Sequence, residues 1–324
     1  MELLVKKLLE EEIISKEKGN KILEFEVKKP LSIYWELRSL LFLGISFLST
    51  GLGILIYQNI DTIGHGVLIA LIAILCGFCF WYAYKTKLVF SWAKVLNPKF
   101  LSDFALLGSC VLFLILEGYL QFQYSIFGNS YGLATFIPAV LFLLLAYIFD
   151  HQGVLSMGIT ALGSWLGLTV SPKDILSTFE ISNNHLIFTG IIFGFFLILA
   201  GWFSEWKDKK KHFAFSYYLF GANLCFITLL TSLFSFDLKF MYFLLIVLLS
   251  ALCIFHARQT KSYLLLLMGV VYGYIGFSYF IFHYLSQEAA IMLGYIYFSI
   301  SCGLIVYFLF NVKRILGINM EIKP

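Results

Sequence analysis

Ten long apolar segments, separated by short polar stretches, restrict the fold of this chain more than any other feature. A helix needs about 20 apolar residues, at a rise of roughly 1.5 Å each, to cross the hydrocarbon core of a bilayer. The sequence therefore predicts an all-α, polytopic membrane helix bundle with about ten transmembrane helices. The predicted spans are 37–57, 62–84, 101–123, 131–149, 153–170, 186–204, 213–234, 239–257, 263–285 and 289–311.

The composition agrees with a membrane protein. Hydrophobic residues make up 60% of the chain and charged residues only 13%, whereas a soluble domain is nearer half apolar and a quarter charged. The charges form no basic surface interleaved with aromatic residues, so no nucleic-acid partner is expected. All six cysteines fall inside predicted spans, so no structural disulfide is expected.

The lysines and arginines are distributed unevenly between the two sides of the predicted bundle. If the N-terminus is cytoplasmic, 21 of the 23 basic residues fall on the cytoplasmic side, and only Lys173 and Lys239 fall outside. Cytoplasmic loops of membrane proteins carry such an excess of positive charge. We therefore predict that the N- and C-termini are both cytoplasmic, with residues 312–324 as a cytosolic tail.

Residues 1–36 precede the first predicted span. They lack the basic region followed by an apolar run that marks a signal peptide, and they are typical of two short amphipathic helices. Mixed charge usually marks a solvated face, so we predict a cytosolic helical hairpin that covers one end of the bundle. The alternative is a docking segment for a cytosolic protein partner.

The predicted span 101–123 contains an acidic residue, Glu117, well inside its ends. On a helix, Asp103, Cys110, Glu117 and Gln121 share one face and form a polar stripe. A carboxylate that faces lipid is costly, so we expect this stripe to face protein or a wet cavity. Glu117 is then either protonated and hydrogen-bonded between two helices, which is a structural role, or bathed by an outward-open cavity.

Asn223 lies in the middle of the predicted span 213–234, where an amide usually cross-links helices. Glu117, Gln121 and Asn223 are therefore the candidate polar or proton-linked site. Three Gly-x-x-x-Gly motifs predict close helix contacts: Gly163 with Gly167, Gly190 with Gly194, and Gly269 with Gly273.

The other polar residues predict no catalytic or metal site. The histidines do not show the spacing of a zinc site, so no metal is expected. Asp150 and His151 occupy a tight turn, where we expect turn and cap chemistry rather than a catalytic dyad. No nucleophile motif or phosphate-binding loop is present in a usable context, so the sequence predicts neither an enzyme nor a cofactor.

The N-terminal residues LLEEEIISKEKGNKILEFEVKKP lead directly into LRSLLFLGISFLSTGLGILIY, and many closely spaced spans follow. This arrangement resembles the bacterial membrane-protein family called domain of unknown function 2157, most clearly over about the first 60 residues. The resemblance implies a multi-pass protein of the bacterial inner membrane. It implies no established activity and no functional residues.

Two functions of different classes fit the sequence. Ten spans divide into five plus five, and an odd repeat inverts the topology between halves, as in many carriers. This favours a transporter or permease for a small solute or lipid, with Glu117 as the proton- or cation-coupling group. The alternative is a non-transporting assembly or signalling protein that contacts a partner through residues 1–36. A cavity that reaches Glu117 would favour transport, and a solid bundle with Glu117 bound to a neighbour would favour the alternative.

Overall fold

The computed structural model describes residues 64–95, 100–128, 130–170 and 184–317, together with isolated positions between Lys18 and Ile54. The chain divides into two compact units, Met1–Leu68 and Ile69–Pro324. Most of the first unit lies outside the described residues, as do the predicted hairpin over 1–36, apart from Lys18, and the tail beyond Gly317.

Within the described ranges, nine helices are long and apolar enough to cross a membrane. The same ranges contain no strand, so the predicted all-α polytopic architecture is confirmed. The helices are α1 (His65–Lys85), α2 (Phe100–Tyr124), α3 (Tyr131–Phe149), α4 (Gln152–Val170), α5 (Asn184–Trp206), α6 (Lys211–Ser235), α7 (Lys239–Thr260), α8 (Tyr263–His283) and α9 (Gln287–Ile315).

These helices correspond to nine of the ten predicted spans. Helix α3 has the predicted bounds of 131–149, and α9 shows the largest difference because it continues past the predicted end at 311 to Ile315. The one predicted span that is left, 37–57, is the first in the chain. It lies mostly outside the described residues, and its described positions are helical.

The two shortest turns in the described part of the chain each contain a left-handed residue. Asp150 (φ 59°) ends α3 and Lys261 (φ 54°) ends α7, and each donates its backbone N–H to a carbonyl of the last helical turn. A left-handed residue at this position satisfies carbonyls that the helix leaves free. The chain can then reverse within one or two residues, so α3 with α4 and α7 with α8 form tight antiparallel hairpins.

Helix α6 is the most buried of the nine and packs against α4, α5, α7 and α8. The largest apolar cluster joins side chains from α1 to α6, including Leu106, Phe142, Leu155 and Phe213. A second cluster lies between α6 and α7 around Phe226 and Ile246, and a third lies around Leu265, Leu266 and Leu316.

Two of the three glycine motifs lie at close helix contacts. A Cβ at Gly194 on α5 would lie 2.5 Å from the Cys225 sulfur and 2.9 Å from the carbonyl oxygen of Gly221, both on α6. A Cβ at Gly273 on α8 would lie 2.9 Å from the Ser250 hydroxyl on α7. Gly163 is different, because a Cβ there would only touch Phe193 at 3.4 Å, an ordinary contact distance.

Candidate functional site

Glu117 lies on α2 and is 8% exposed. Neither carboxylate oxygen has a hydrogen-bond partner among the described residues. Helix α2 packs against α3 and α4, and Phe113, one turn before Glu117, contacts the ring of Phe142 on α3 with centroids 6.1 Å apart. Glu117 is therefore enclosed by protein, but the cross-helix hydrogen bond considered from the sequence is not formed within this part of the chain.

The other members of the predicted stripe have different environments. Cys110 is buried in the apolar core, whereas Asp103 lines a small pocket at one end of α2. Gln121 holds the turn after α2: its amide nitrogen donates to the carbonyl of Gly128 at 3.0 Å, and its amide oxygen accepts from the N–H of Phe127 at 2.8 Å. The Gln121 side chain thus has a local structural role.

Asn223 lies at the midpoint of α6. Its side-chain oxygen accepts a hydrogen bond from the hydroxyl of Tyr272 on α8, so this amide does link two helices. Asn223 also lines a pocket of about 190 Å³ between α4, α5 and α6. Glu117 and Gln121 do not line this pocket, so the structure does not bring the three predicted residues together in one site.

A cluster that the sequence reasoning missed lies where the turns α1–α2, α3–α4 and α5–α6 meet. We call this end of the second unit the basic end. The Oδ1 atom of Asp150 lies 2.7 Å from the ammonium of Lys210 and 2.6 Å from Nε2 of His212. The Oδ2 atom accepts the backbone N–H of Val95 at 2.6 Å. One carboxylate therefore joins three connections that are far apart in sequence.

The surroundings of Lys210 explain how a lysine is kept inside the protein. Its backbone N–H donates to the carbonyl of Trp92 at 2.8 Å, and the Ser204 hydroxyl donates to its carbonyl at 3.1 Å. Its ammonium lies 5.1 Å from the ring centroid of Phe90 and 5.9 Å from that of Phe213. The ion pair with Asp150 and these two rings replace the water that the ammonium has lost.

The titration of this cluster follows from its contacts. Burial alone would raise the pKa of Asp150, but the hydrogen bonds from Lys210 and Val95 and the neighbouring His212 together hold that pKa below its usual value. Burial lowers the pKa of His151, and the nearby carboxylates of Asp103 and Asp150 offset this only in part. At neutral pH, Asp150 is therefore ionised and His151 is neutral.

The prediction of turn and cap chemistry at this position is correct but incomplete. Asp150 does end α3, and Nδ1 of His151 accepts the N–H of Val154 at 3.2 Å in the first turn of α4. The sequence does not predict the ion pair with Lys210, because the distribution of basic residues places Lys210 on the predicted cytoplasmic side without indicating a partner. The signal that could have indicated it is an acidic residue in the turn between two spans, on the side that is rich in lysine.

A second polar contact ties α5, α6 and α7 together at the same end. The Tyr218 hydroxyl donates to Oε2 of Glu205 at 3.0 Å, and Nε2 of His256 lies 4.0 Å from Oε1 of the same carboxylate. Within the described ranges, no group of three or more His, Cys, Asp or Glu side chains has a geometry that could hold a metal ion.

Residues 6–155 match the model of a family described as predicted membrane protein (DUF2157). This confirms the resemblance seen in the N-terminal sequence and extends it through α3 to the start of α4. The matched region contains Glu117 and Asp150, and it ends before Lys210 and Asn223. No curated protein and no solved structure matches the chain.

Proposed function

We propose that this protein is a transporter or permease for a small solute or lipid, with Glu117 as its proton- or cation-linked group. The observation that carries the proposal is the Glu117 carboxylate itself: it lies within a membrane-spanning helix, enclosed by protein, and neither oxygen has a partner among the described residues. Buried polar groups are nearly always hydrogen-bonded, so an unbonded one requires an explanation.

The cost of this arrangement favours a functional role over a structural one. An ionised carboxylate in an apolar environment is unfavourable by several kcal/mol unless it is paired, and ionisable residues inside membranes commonly mark ion or proton pathways. A glutamate that only linked two helices would spend its oxygens on hydrogen bonds, as Asn223 does with Tyr272. An unbonded carboxylate is free to take up and release a proton or cation as the protein changes conformation.

The other two predicted site residues do not compete for this role. Both polar atoms of Gln121 are used in the turn after α2, and the Asn223 oxygen is used by Tyr272. The alternative function, contact with a cytosolic partner through residues 1–36, concerns a segment outside the described residues apart from Lys18.

The proposed location is the bacterial inner membrane, with the basic end and both termini in the cytoplasm. In the described part of the second unit, the basic residues of the turns lie at the basic end except for Lys239, which lies at the start of α7. Such an excess of Lys and Arg is typical of the cytoplasmic side.

The transport proposal is tested by electrical measurement on proteoliposomes adsorbed to a solid support. A panel of amino acids, sugars and monovalent cations is applied under a pH or sodium gradient, and the same vesicles report movement of a fluorescent phospholipid between leaflets. We expect a solute- or lipid-dependent signal that falls at least tenfold in Glu117→Gln, which keeps hydrogen-bonding capacity but cannot titrate. Glu288→Gln, at an exposed site on α9, is the matched control.

Two results would overturn the proposal. One is a wild-type signal no larger than that of empty vesicles across the panel. The other is a Glu117→Gln variant that transports like wild type while Glu117→Leu lowers thermal stability, because Glu117 would then be structural.

A further inference from the structure

The pocket beside Asn223 lies at the mid-depth of the second unit. Its walls come from the central turns of three helices, with Ile159 and Gly163 on α4, Phe193 and Leu197 on α5, and Asn223 on α6. The exposed side chains of Thr160 and Ile227 border it. A molecule at this depth enters from the apolar layer of the membrane rather than from water.

The lining excludes charged ligands. Among the described residues, nine line the pocket: seven are apolar, the two polar ones are Thr160 and Asn223, and none carries a charge. An ion or a zwitterion would lose its hydration here without gaining an opposite charge, at a large cost in free energy. The occupant must therefore be neutral and mostly apolar.

The two polar side chains determine which polar atom the occupant can carry. The Asn223 oxygen already accepts from Tyr272, and Tyr272 is held by its stack against Phe226, with ring centroids 4.8 Å apart. The Thr160 hydroxyl donates to the carbonyl of Ser156 at 2.8 Å. Among the described lining residues, the side-chain donor that remains is the Asn223 amide N–H, and it matches a hydrogen-bond acceptor on a ligand.

The size of the pocket sets the scale of the ligand. Its volume is about 190 Å³. An engineered apolar cavity of about 150 Å³ in another protein binds benzene, so a single ring with one substituent fits here. A complete phospholipid does not fit, although one part of a larger lipid could occupy the pocket while the rest lies in the bilayer.

We infer that this pocket binds a neutral, lipid-soluble molecule with a ring-sized apolar body and a carbonyl oxygen that accepts a hydrogen bond from the Asn223 amide. Glu117 is not one of the lining residues, so binding here does not depend on the transport proposal. The two proposals can therefore fail separately, since one predicts a flux and the other an occupied site.

The test uses photolabelling of the purified full-length protein in detergent, with benzophenone as the probe. Benzophenone is a neutral aromatic ketone that attaches to nearby C–H bonds on irradiation, and peptide mass spectrometry locates the attachment. One ring and the carbonyl match the size of the pocket, and the second ring extends past the exposed border at Thr160 and Ile227. Acetophenone and ethylbenzene then compete with the probe; they have nearly the same shape, but only acetophenone has a carbonyl. We expect labelling at lining residues of α4, α5 or α6 and about fivefold stronger competition by acetophenone, as one added hydrogen bond implies.

Two variants and one control sharpen the result. Asn223→Leu should retain labelling but lose the preference for acetophenone, and Gly163→Leu should reduce labelling because its side chain fills the pocket. Thr231→Val, on α6 but not among the lining residues, should behave as wild type. Equal competition by the two compounds in the wild-type protein, or labelling confined to other helices, would refute the inference without any variant.

Discussion

The ammonium of Lys210 lies 2.7 Å from the Oδ1 atom of Asp150, and the two side chains are 1% and 4% exposed. The pair joins the turn after α3 to the turn before α6. A buried ion pair gives little net stability over an apolar pair of the same shape, but loss of one partner leaves a buried charge without its counter-charge. The ion pair between Asp150 and Lys210 therefore holds the turn after α3 against the turn before α6.

Removal of either partner should destabilise the protein strongly. Lys210→Met is expected to lower the free energy of unfolding by about 3–5 kcal/mol, measured by thermal or denaturant unfolding in detergent. The double variant Lys210→Met/Asp150→Leu should lose less than the sum of the two single changes. Lys211→Met is the control: its side chain is 66% exposed and lies 3.9 Å from Asp208, so its loss should cost at most about 1 kcal/mol. Equal effects at positions 210 and 211 would contradict the buried pair.

His151 should make stability depend on pH in the mildly acidic range. Burial lowers the pKa of His151 in the folded protein. As the pH falls, His151 therefore takes up a proton at about pH 6.5 in the unfolded chain but stays neutral at that pH in the folded protein. The contribution of His151 to stability is then fully present above about pH 6.5, and it is lost as the pH falls through the lowered pKa of His151 in the folded protein. The pKa of Asp150 is also lowered, so the contribution of Asp150 to stability is lost only below about pH 4.

The measurement is the thermal unfolding temperature in detergent at several values between pH 5 and pH 8. His151→Asn keeps a side-chain acceptor for the N–H of Val154 but does not titrate, so its profile should be flatter than that of wild type. His283→Asn, at an exposed residue at the end of α8, should keep the wild-type slope. A wild-type slope in His151→Asn would assign the acid sensitivity to another group.

The contact between α5 and α6 should not tolerate a methyl group at Gly194. An added Cβ would lie 2.9 Å from the carbonyl oxygen of Gly221 and 2.5 Å from the Cys225 sulfur, so the helices must separate. Gly194→Ala should therefore lower the free energy of unfolding by about 1–3 kcal/mol. Gly163→Ala is the matched control, since its Cβ has room and alanine raises helix propensity by up to about 1 kcal/mol. If both variants unfold alike, the close packing is wrong.

The orientation of the bundle can be tested with a membrane-impermeant maleimide on intact cells. In a background without the six native cysteines, Asp208→Cys reports on the turn between α5 and α6, and Gln123→Cys reports on the opposite end of α2. We expect labelling from outside at position 123, and labelling at position 208 only after the cells are opened. The reverse pattern would place the basic end outside.

The helices were predictable because their signal is local. Apolar length alone predicted the bounds of α3, 131–149. The error at the end of α9 has a simple cause: Lys313 and Arg314 continue the helix with exposed side chains, and long basic side chains at the end of a span can extend to the membrane surface. The site was less predictable. The shared face on α2 correctly grouped Cys110 with Glu117 as buried, but periodicity does not show that the Gln121 amide turns to its own loop.

The pairing of Asp150 with Lys210 has a different origin. Both residues lie in short turns, without a periodic pattern, and their contact depends on how α3, α5 and α6 pack. Charge counting assigns both residues to the same membrane side, but it gives no distance between them. Such a pair follows only from the tertiary structure.

The central position of α6 has a consequence for how the chain is assembled during synthesis. The ribosome completes α1 to α5 before α6, so α4 and α5 enter the membrane without the helix that covers their shared face. Until then Asp150 has no Lys210, and the glycine surface of α5 has no partner. A truncated chain that ends before α6 should therefore be a better target for membrane quality-control proteases than one that ends after it.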